Sequence, residues 1–214
     1  MYKADFHTHS IASPDGSLTL GHYRRILDSG TLDYAAVTDH NTISFAQKAQ
    51  AVLGDKIIVG EEITTTDGEI IGLFLHKVVP AGLSLGEAID RIKQQGGLVY
   101  VPHPFETVRS GLAEDALEPL SSQLDIVEVN NGRAVFQNRS AQAKAWAGKH
   151  SLPGASSSDS HGWHGWGKTY TEIAQAPDVK TLAKTLKTAK YVVQSPGLRG
   201  ILYPKYNRLR KALS

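Results

Sequence analysis

Residues 2–10 read Y-K-A-D-F-H-T-H-S, a short strand-like run that closes on two histidines. On a strand, positions i and i+2 project from one face, so His7 and His9 can share a ligand. The same unit, an apolar run ending in ionisable residues, recurs along the chain. A-V-T-D-H-N-T at 36–42 brings Asp39 and His40, I-I-V-G-E-E at 57–62 brings Glu61 and Glu62, V-Y-V-P-H-P-F at 99–105 brings His103, and S-S-S-D-S-H at 156–161 brings Asp159 and His161. Short apolar runs alternate with helix-like segments, the pattern of an α/β fold with a largely parallel sheet or barrel. In such folds the C-terminal ends of the strands surround one mouth where ligands bind, so residues distant in sequence converge.

Working outward, the spacing predicts strands over 2–7, 34–38, 56–61, 69–75, 98–102, 124–129, 152–156, 169–173 and 191–194. Leu85, Ala88, Ile89 and Ile92 fall on one helical face, with Ser84 as N-cap and Gly96-Gly97 as the stop. Val179, Leu182, Ala183 and Leu186 repeat that spacing behind Asp178, and 19–29, 42–52 and 134–149 are further helix candidates. No linker or low-complexity tract divides the chain, so one domain over 1–214 is expected.

The 214 residues are 41% hydrophobic and 21% charged, ordinary for a globular protein. The absence of cysteine removes disulfide frameworks, thiolate zinc sites, iron–sulfur ligation and cysteine nucleophiles, so any metal is held by nitrogen and oxygen. Met1-Tyr2-Lys3-Ala4-Asp5 lacks the apolar core of a signal peptide, and I-I-G-L-F-L at 70–75 is too short to span a bilayer. The reading is of a cytoplasmic protein with no membrane contact. From about residue 199, Arg199, Lys205, Arg208, Arg210 and Lys211 appear without an acid, so the net charge of +2 joins an acidic body to a basic tail. The body is no basic nucleic-acid binder. Such a tail reads as a frayed, solvated terminus, with contact to a nucleic-acid backbone or a partner as the alternative.

Each motif alone has an ordinary explanation. One histidine of H-x-H is buried and hydrogen-bonded, Asp39 caps a helix near Thr42, and the serines before Asp159 form a flexible loop. His103 is less easily dismissed, because the flanking prolines stiffen its backbone and remove two amide donors. Together the motifs supply more imidazole and carboxylate than one mononuclear site needs. That points to a site for two or three divalent ions, with zinc, manganese or iron suited to the mixed donors.

In that order, H-x-H-S, T-D-H-N-T, G-E-E, P-H-P-F and S-D-S-H resemble the signature motifs of the polymerase and histidinol phosphatase (PHP) superfamily, from about Phe6 to His161. The resemblance implies a distorted seven-stranded (β/α)7 barrel, TIM-like, with up to three metals at the C-terminal ends of the strands and phosphoesterase activity. It also implies one metal at His7, His9, Glu62 and Asp159, a second shared through Glu62 and completed by His103, and a third on Asp15, His40 and His161. One ligand of the second metal is open between Glu69, before I-I-G-L-F-L, and His76, after it. Glu69 is favoured because G-E-I-I-G-L resembles small members of the family, while His76 beside Lys77 reads as a surface residue. His22, His150 and His164 receive no role.

The expected function is hydrolysis of a small phosphate ester, a nucleotide or phosphometabolite, by a metal-bridging hydroxide, with Asp159 or His161 protonating the leaving oxygen. Arg109, six residues after His103, and Arg133, after V-E-V-N-N-G, are the candidate phosphate ligands, since a guanidinium fork grips two oxygens. Glu128 suits pairing with one of them or orienting a ligand histidine. Trp163, His164 and Trp166 fold their Gly-rich loop over the barrel or cover a base or sugar. Two other classes remain open: metal-dependent C–N hydrolysis, and a non-catalytic metal-stabilised accessory module. With all expected ligand positions filled and no attached domain, the chain reads as an independent enzyme.

Overall fold

The computed structural model describes residues 1–135 and 137–213. Phe136, near the start of the helix expected over 134–149, and Ser214, the end of the basic tail, lie outside the described residues. The strands are β1 (Tyr2–Asp5), β2 (Tyr34–Val37), β3 (Ile57–Thr64), β4 (Glu69–Leu73), β5 (Leu98–Val101), β6 (Ile126–Asn131), β7 (Gly154–Ser157), β8 (Tyr170–Ile173) and β9 (Lys190–Val192). They form one sheet in the order β7-β6-β5-β4-β3-β2-β1-β8-β9, curled into a nearly closed barrel.

The sheet is mixed rather than largely parallel. β1–β2, β2–β3, β5–β6 and β6–β7 pair in parallel, while β4 runs antiparallel to both β3 and β5. The reason is local. Only T-T-D-G separates β3 from β4, far too short for the crossover a parallel pair needs. Thr65 donates to the carbonyl of Gly68 through both N and Oγ1, at 2.8 and 2.6 Å, closing a tight hairpin. The reversal places Glu69, the first residue of β4, at the mouth and sends His76 toward the opposite end.

Closure is made at two levels. Near the mouth Thr8 bridges to Ser160 in parallel. Below it, β8 pairs antiparallel with β1, and Thr171 Oγ1 exchanges hydrogen bonds of 2.8 Å with the backbone of Ser156 on β7. The seven-stranded barrel implied by the resemblance thus gains β8 and β9, which pair antiparallel with residues 174–189 linking them.

Burial follows strand alternation. Ala36, Ile58 and Tyr100 point into an interior cluster with Ala4, Ile71, Ile126, Ala155 and Ile173. Their neighbours Ala35, Val37, Ile57, Val59, Val99 and Val101 face the surrounding helices. Those helices are α1 (Leu20–Asp28), α2 (Ser44–Leu53), α3 (Leu85–Gln94), α4 (Glu114–Leu117), α5 (Ser140–Lys149), α6 (Leu182–Leu186) and α7 (Gly197–Ala212). α6 adds Leu182 and Leu186 to the interior cluster. α3 starts at Ser84, whose side chain accepts from Glu87 N while Glu87 Oε2 accepts from Ser84 N. α5 is shorter than 134–149, since Asn138 Oδ1 takes the Ser140 amide just before the first turn.

The basic tail is not a frayed terminus. α7 is a helix packed on the mouth, where Tyr203 lies so close to Gly162 that a Cβ there would sit 2.6 Å from its ring. Among the described residues no helix is long and apolar enough to cross a membrane.

Candidate metal centre

The chain beyond β1 runs along the inside of the mouth, pinned by Thr8 N donating to Thr38 Oγ1 at 3.2 Å and His9 N to the Ser160 carbonyl at 2.9 Å. His7 Nε2 and His9 Nε2 then face one another at 3.1 Å. Glu62 Oε2 lies 3.4 and 3.2 Å from them, and Asp159 Oδ1 3.6 and 3.4 Å. Four donors about 2.05 Å from a tetrahedral zinc would stand about 3.3 Å apart, close to these spacings. His7 Nδ1 faces Glu128 Oε1 at 3.3 Å, so its proton is spoken for and Nε2 turns a lone pair inward. Glu128 also accepts from Tyr100 Oη, His103 N and Asn131 Nδ2, at 3.1, 2.7 and 2.9 Å. One carboxylate thereby orients His7, fixes the backbone of His103 and caps the apolar interior.

Two further groups adjoin this one. His103 Nε2 lies 3.0 Å from Glu62 Oε1 and 3.9 Å from Glu69 Oε2. His40 Nδ1 stands 3.3 Å from Glu62 and 3.5 Å from Glu69. On the other flank Asp15 sits 3.6 Å from His40 Nε2 and 3.5 Å from His161 Nε2, beside His9. His161 Nδ1 reaches the carbonyl of Asp159 at 2.9 Å, which leaves Nε2 for the cluster. Two of the donors rest on strained backbone, His103 with φ of 28° and Asp159 with φ of 51°, as at many functional sites.

The electrostatics are consistent with a bound cation. Burial works against every charge here, yet the imidazoles hold Glu62 well below the usual carboxylate range, and Arg133, His7 and His161 do the same for Asp159. Burial and the neighbouring Glu62 push Glu69 up to about 9. His9, against its own desolvation, is raised to about 9 by Asp159 and Glu62, whereas burial and the neighbouring His9 and Arg133 press His161 down to about 3. Carboxylates and imidazoles that share protons so unequally in a dry pocket suit a set of divalent ions, and His103 Nδ1 is buried without a partner among the described residues. The donor set therefore fits the metals that the motifs suggest: these buried clusters are consistent with a multi-metal site.

Guanidinium groups rim the open side. Arg109 Nη1 donates to Asn131 Oδ1 and Asp159 Oδ2 at 2.6 and 2.7 Å, and its other edge pairs with Glu106. Arg133 Nη1 lies 3.1 Å from the same Asp159 oxygen and 3.3 Å from His161 Nδ1, and its Nε is buried without a partner. Val108, Ser110, Pro204 and Arg208 complete the mouth.

All nine ligand candidates, His7, His9, Asp15, His40, Glu62, Glu69, His103, Asp159 and His161, meet at this mouth. His76 does not; it is exposed, and its backbone bonds to Gln95 and Gln47. Asp39 caps no helix. It accepts from Ser10 N and Oγ at 2.6 and 2.5 Å, bracing the loop that carries Asp15. His22 closes a capping box with Thr19 on α1, and His150 bonds to Glu118. Trp166 packs on Tyr23 and donates to Asp5 Oδ2 at 3.0 Å, while Trp163 stacks on His22, so the loop folds over its own barrel. Asn131, Glu106, Asn207 and Arg208 were not foreseen; their contacts arise from packing, and no short motif marks them.

No family model matches the chain. Protein MJ1587 of Methanocaldococcus jannaschii is 37% identical over 142 residues, covering 60% of this chain and 81% of that protein. MJ0417 of the same organism is 34% identical over 177 residues, covering 81% and 71%. Among solved structures, a two-domain Bacteroides vulgatus protein containing a predicted PHP-like metal-dependent phosphoesterase superposes with a TM-score of 0.66 at 20% identity, over 97% of this chain and 63% of that one. PsfC of Pseudomonas syringae gives 0.68 at 14% identity, over 99% and 98%. An amidohydrolase from Chromobacterium violaceum, with bound sulfate and no metal, gives 0.58 at 17% identity, over 74% and 87%. At these identities the likeness to the solved structures is one of fold. The chain belongs to one family with MJ1587 and MJ0417, and its barrel is of the PHP type.

Proposed function

We propose that the protein is a metal-dependent phosphoesterase that hydrolyses a small phosphate ester. The observation that carries this reading is the pair of guanidiniums, Arg109 and Arg133, converging on one oxygen of Asp159 at the edge of the cluster. Two planar cations beside a cation site suit the equatorial oxygens of a phosphoryl group better than a neutral amide. Two or three divalent ions held by the clustered donors supply Lewis acidity and an activated water; zinc, manganese and iron all suit the donor set.

The chain's own residues do the rest. Arg109 and Arg133 bind and orient the phosphate, with Asn131 and Glu106 fixing the angle of Arg109. Tyr100, Glu128 and Ser157 close the floor and keep the cluster above the apolar interior. Arg133 and His7 beside Asp159 favour its ionised form against burial, which suits a ligand better than a proton donor. His161 commits its Nδ1 side to the Asp159 carbonyl and its Nε2 side to Asp15, so its part is also to hold rather than to protonate.

The test is to strip the protein of metal, restore Zn²⁺, Mn²⁺ or Fe²⁺ singly, and screen nucleotides and phosphometabolites for phosphate release beside an amide panel. Ester turnover that depends on metal is expected. Turnover of amides alone would reassign the site to C–N hydrolysis, and no turnover of any substrate would leave a metal-stabilised binding module.

A further inference from the structure

Asn207 is an asparagine in the middle of a helix at the molecular surface, yet it is 1% exposed. Asparagine favours caps over helix interiors, so a buried one needs partners off its own helix. Nδ2 has two: it donates to the backbone carbonyl of Asp15 at 2.8 Å and to that of His161 at 3.0 Å. Those residues stand on separate loops, and their side chains meet beside His40 in the third group of donors. Ser17 already reaches the His161 carbonyl through N and Oγ, at 2.9 and 2.8 Å, so what Asn207 adds is the tie to Asp15.

The same helix grips the Asp15 loop twice more. Arg208 Nη2 lies 2.6 Å from Asp15 Oδ2, setting the rotation of that carboxylate. Lys211 Nζ donates to the carbonyls of Ile11 and Ser13, at 2.9 and 2.5 Å. On the other loop, Tyr203 covers Gly162 and stacks on His164. The first group of donors is built differently. His7 and His9 follow β1 and Glu62 stands on β3, with Glu128 of β6 orienting His7, and of that group Asp159 alone shares the loop of His161.

We infer that α7 sets the occupancy of the third cation position, with Asn207 and Arg208 as positioning residues for Asp15 and His161. This rests on the reading of the cluster as a metal centre. Partners that orient a ligand typically change metal affinity 10- to 100-fold, and the coupling is reciprocal, so a cation at Asp15, His40 and His161 also tightens the helix.

The experiment titrates the metal-free protein with Mn²⁺ or Zn²⁺ alone, reading stepwise affinity by calorimetry and bound metal by elemental analysis. Asn207→Asp keeps the shape but sets a carboxylate against two carbonyls. The expected result is a last equivalent weakened at least about tenfold, with the tighter equivalents unchanged. In the wild type, hydrogen exchange over 197–212 should slow as the last equivalent binds and not before. A helix contact that merely stabilises the fold would lower the melting temperature and leave the stepwise affinities alone. Identical titrations for both proteins, or exchange indifferent to metal, overturn the inference while the metal centre stands. If Asn207→Asp does not fold, the exchange measurement on the wild type decides. A wild type that binds no divalent metal overturns both.

Discussion

Glu61 and Glu62 are adjacent in sequence and meet opposite fates. Glu62 enters the cluster, whereas Glu61 is buried with one donor, the Val79 amide at 2.8 Å, and an oxygen without a partner. Burial pushes its carboxyl up to about 7, from an ordinary value of 4.5. A carboxyl raised on folding contributes stability below its unfolded pKa and loses it as pH rises through the folded value. The stability of the wild type relative to Glu61→Gln should therefore fall between pH 4.5 and 7, by up to about 3 kcal/mol, in denaturant melts at stepped pH. The other predictions at this scale concern orientation. Arg109→Lys, which keeps charge and loses the fork, should raise the KM for an active ester about tenfold or more with a smaller change in kcat. Glu128→Gln should weaken metal binding 10- to 100-fold in a titration, because one neutral amide oxygen replaces the two charged ones that serve His7, Tyr100, His103 N and Asn131. Residues of this kind were legible in unequal measure. His7, His40 and His103 announce themselves as polar residues at strand ends, and the double proline marks His103 as held. Glu106, Asn131 and Asn207 carry no such mark, since an amide or a carboxylate becomes specific only through the neighbour that packing gives it.

At the scale of elements, the reversal of β4 decides which residues reach the mouth. Its turn depends on Gly68, with φ of 143° and a Cβ position 2.8 Å from the Ser110 carbonyl. Gly68→Ala should cost about 1–3 kcal/mol in chemical denaturation, and should disturb Glu69 more than His7 or His9. The expected strands 56–61 and 69–75 leave only 62–68 between them, already too short for a parallel crossover, so the antiparallel strand was readable from length alone. It was hidden by the regular alternation around it, which invites one direction for every strand. The nine strands among the described residues overlap the expected runs, most plainly where the run is apolar, as in Leu98–Val101, and least so in Gly154–Ser157, whose G-A-S-S is not. α7 was not foreseen, because its docked face relies on Asn207, Pro204 and Gly200 rather than on an apolar stripe. Its leucines face outward instead, Leu198 at 72% and Leu209 at 62% exposure.

For the whole molecule, the reading of the centre as a metal site makes crowded buried charge something that a bound cation would turn into stability. Buried carboxylates and imidazoles at 3.1–3.6 Å repel or compete for protons when no cation joins them. Chelation should lower the melting temperature. Metal supplied at about 100 times its Kd should restore roughly 2.7 kcal/mol per site, read from the concentration dependence of the melt.

The donors also have an order in time. The first histidines follow β1, yet the partners of β1 on either side are β2 and β8, and Asn207 secures Asp15 from 192 residues further along the chain. During synthesis, Asp15 must wait for a residue 192 positions later before the tie that secures it can form. A partly made chain would have imidazoles but no cage, so that any choice among metals would be deferred until the barrel could impose its own geometry.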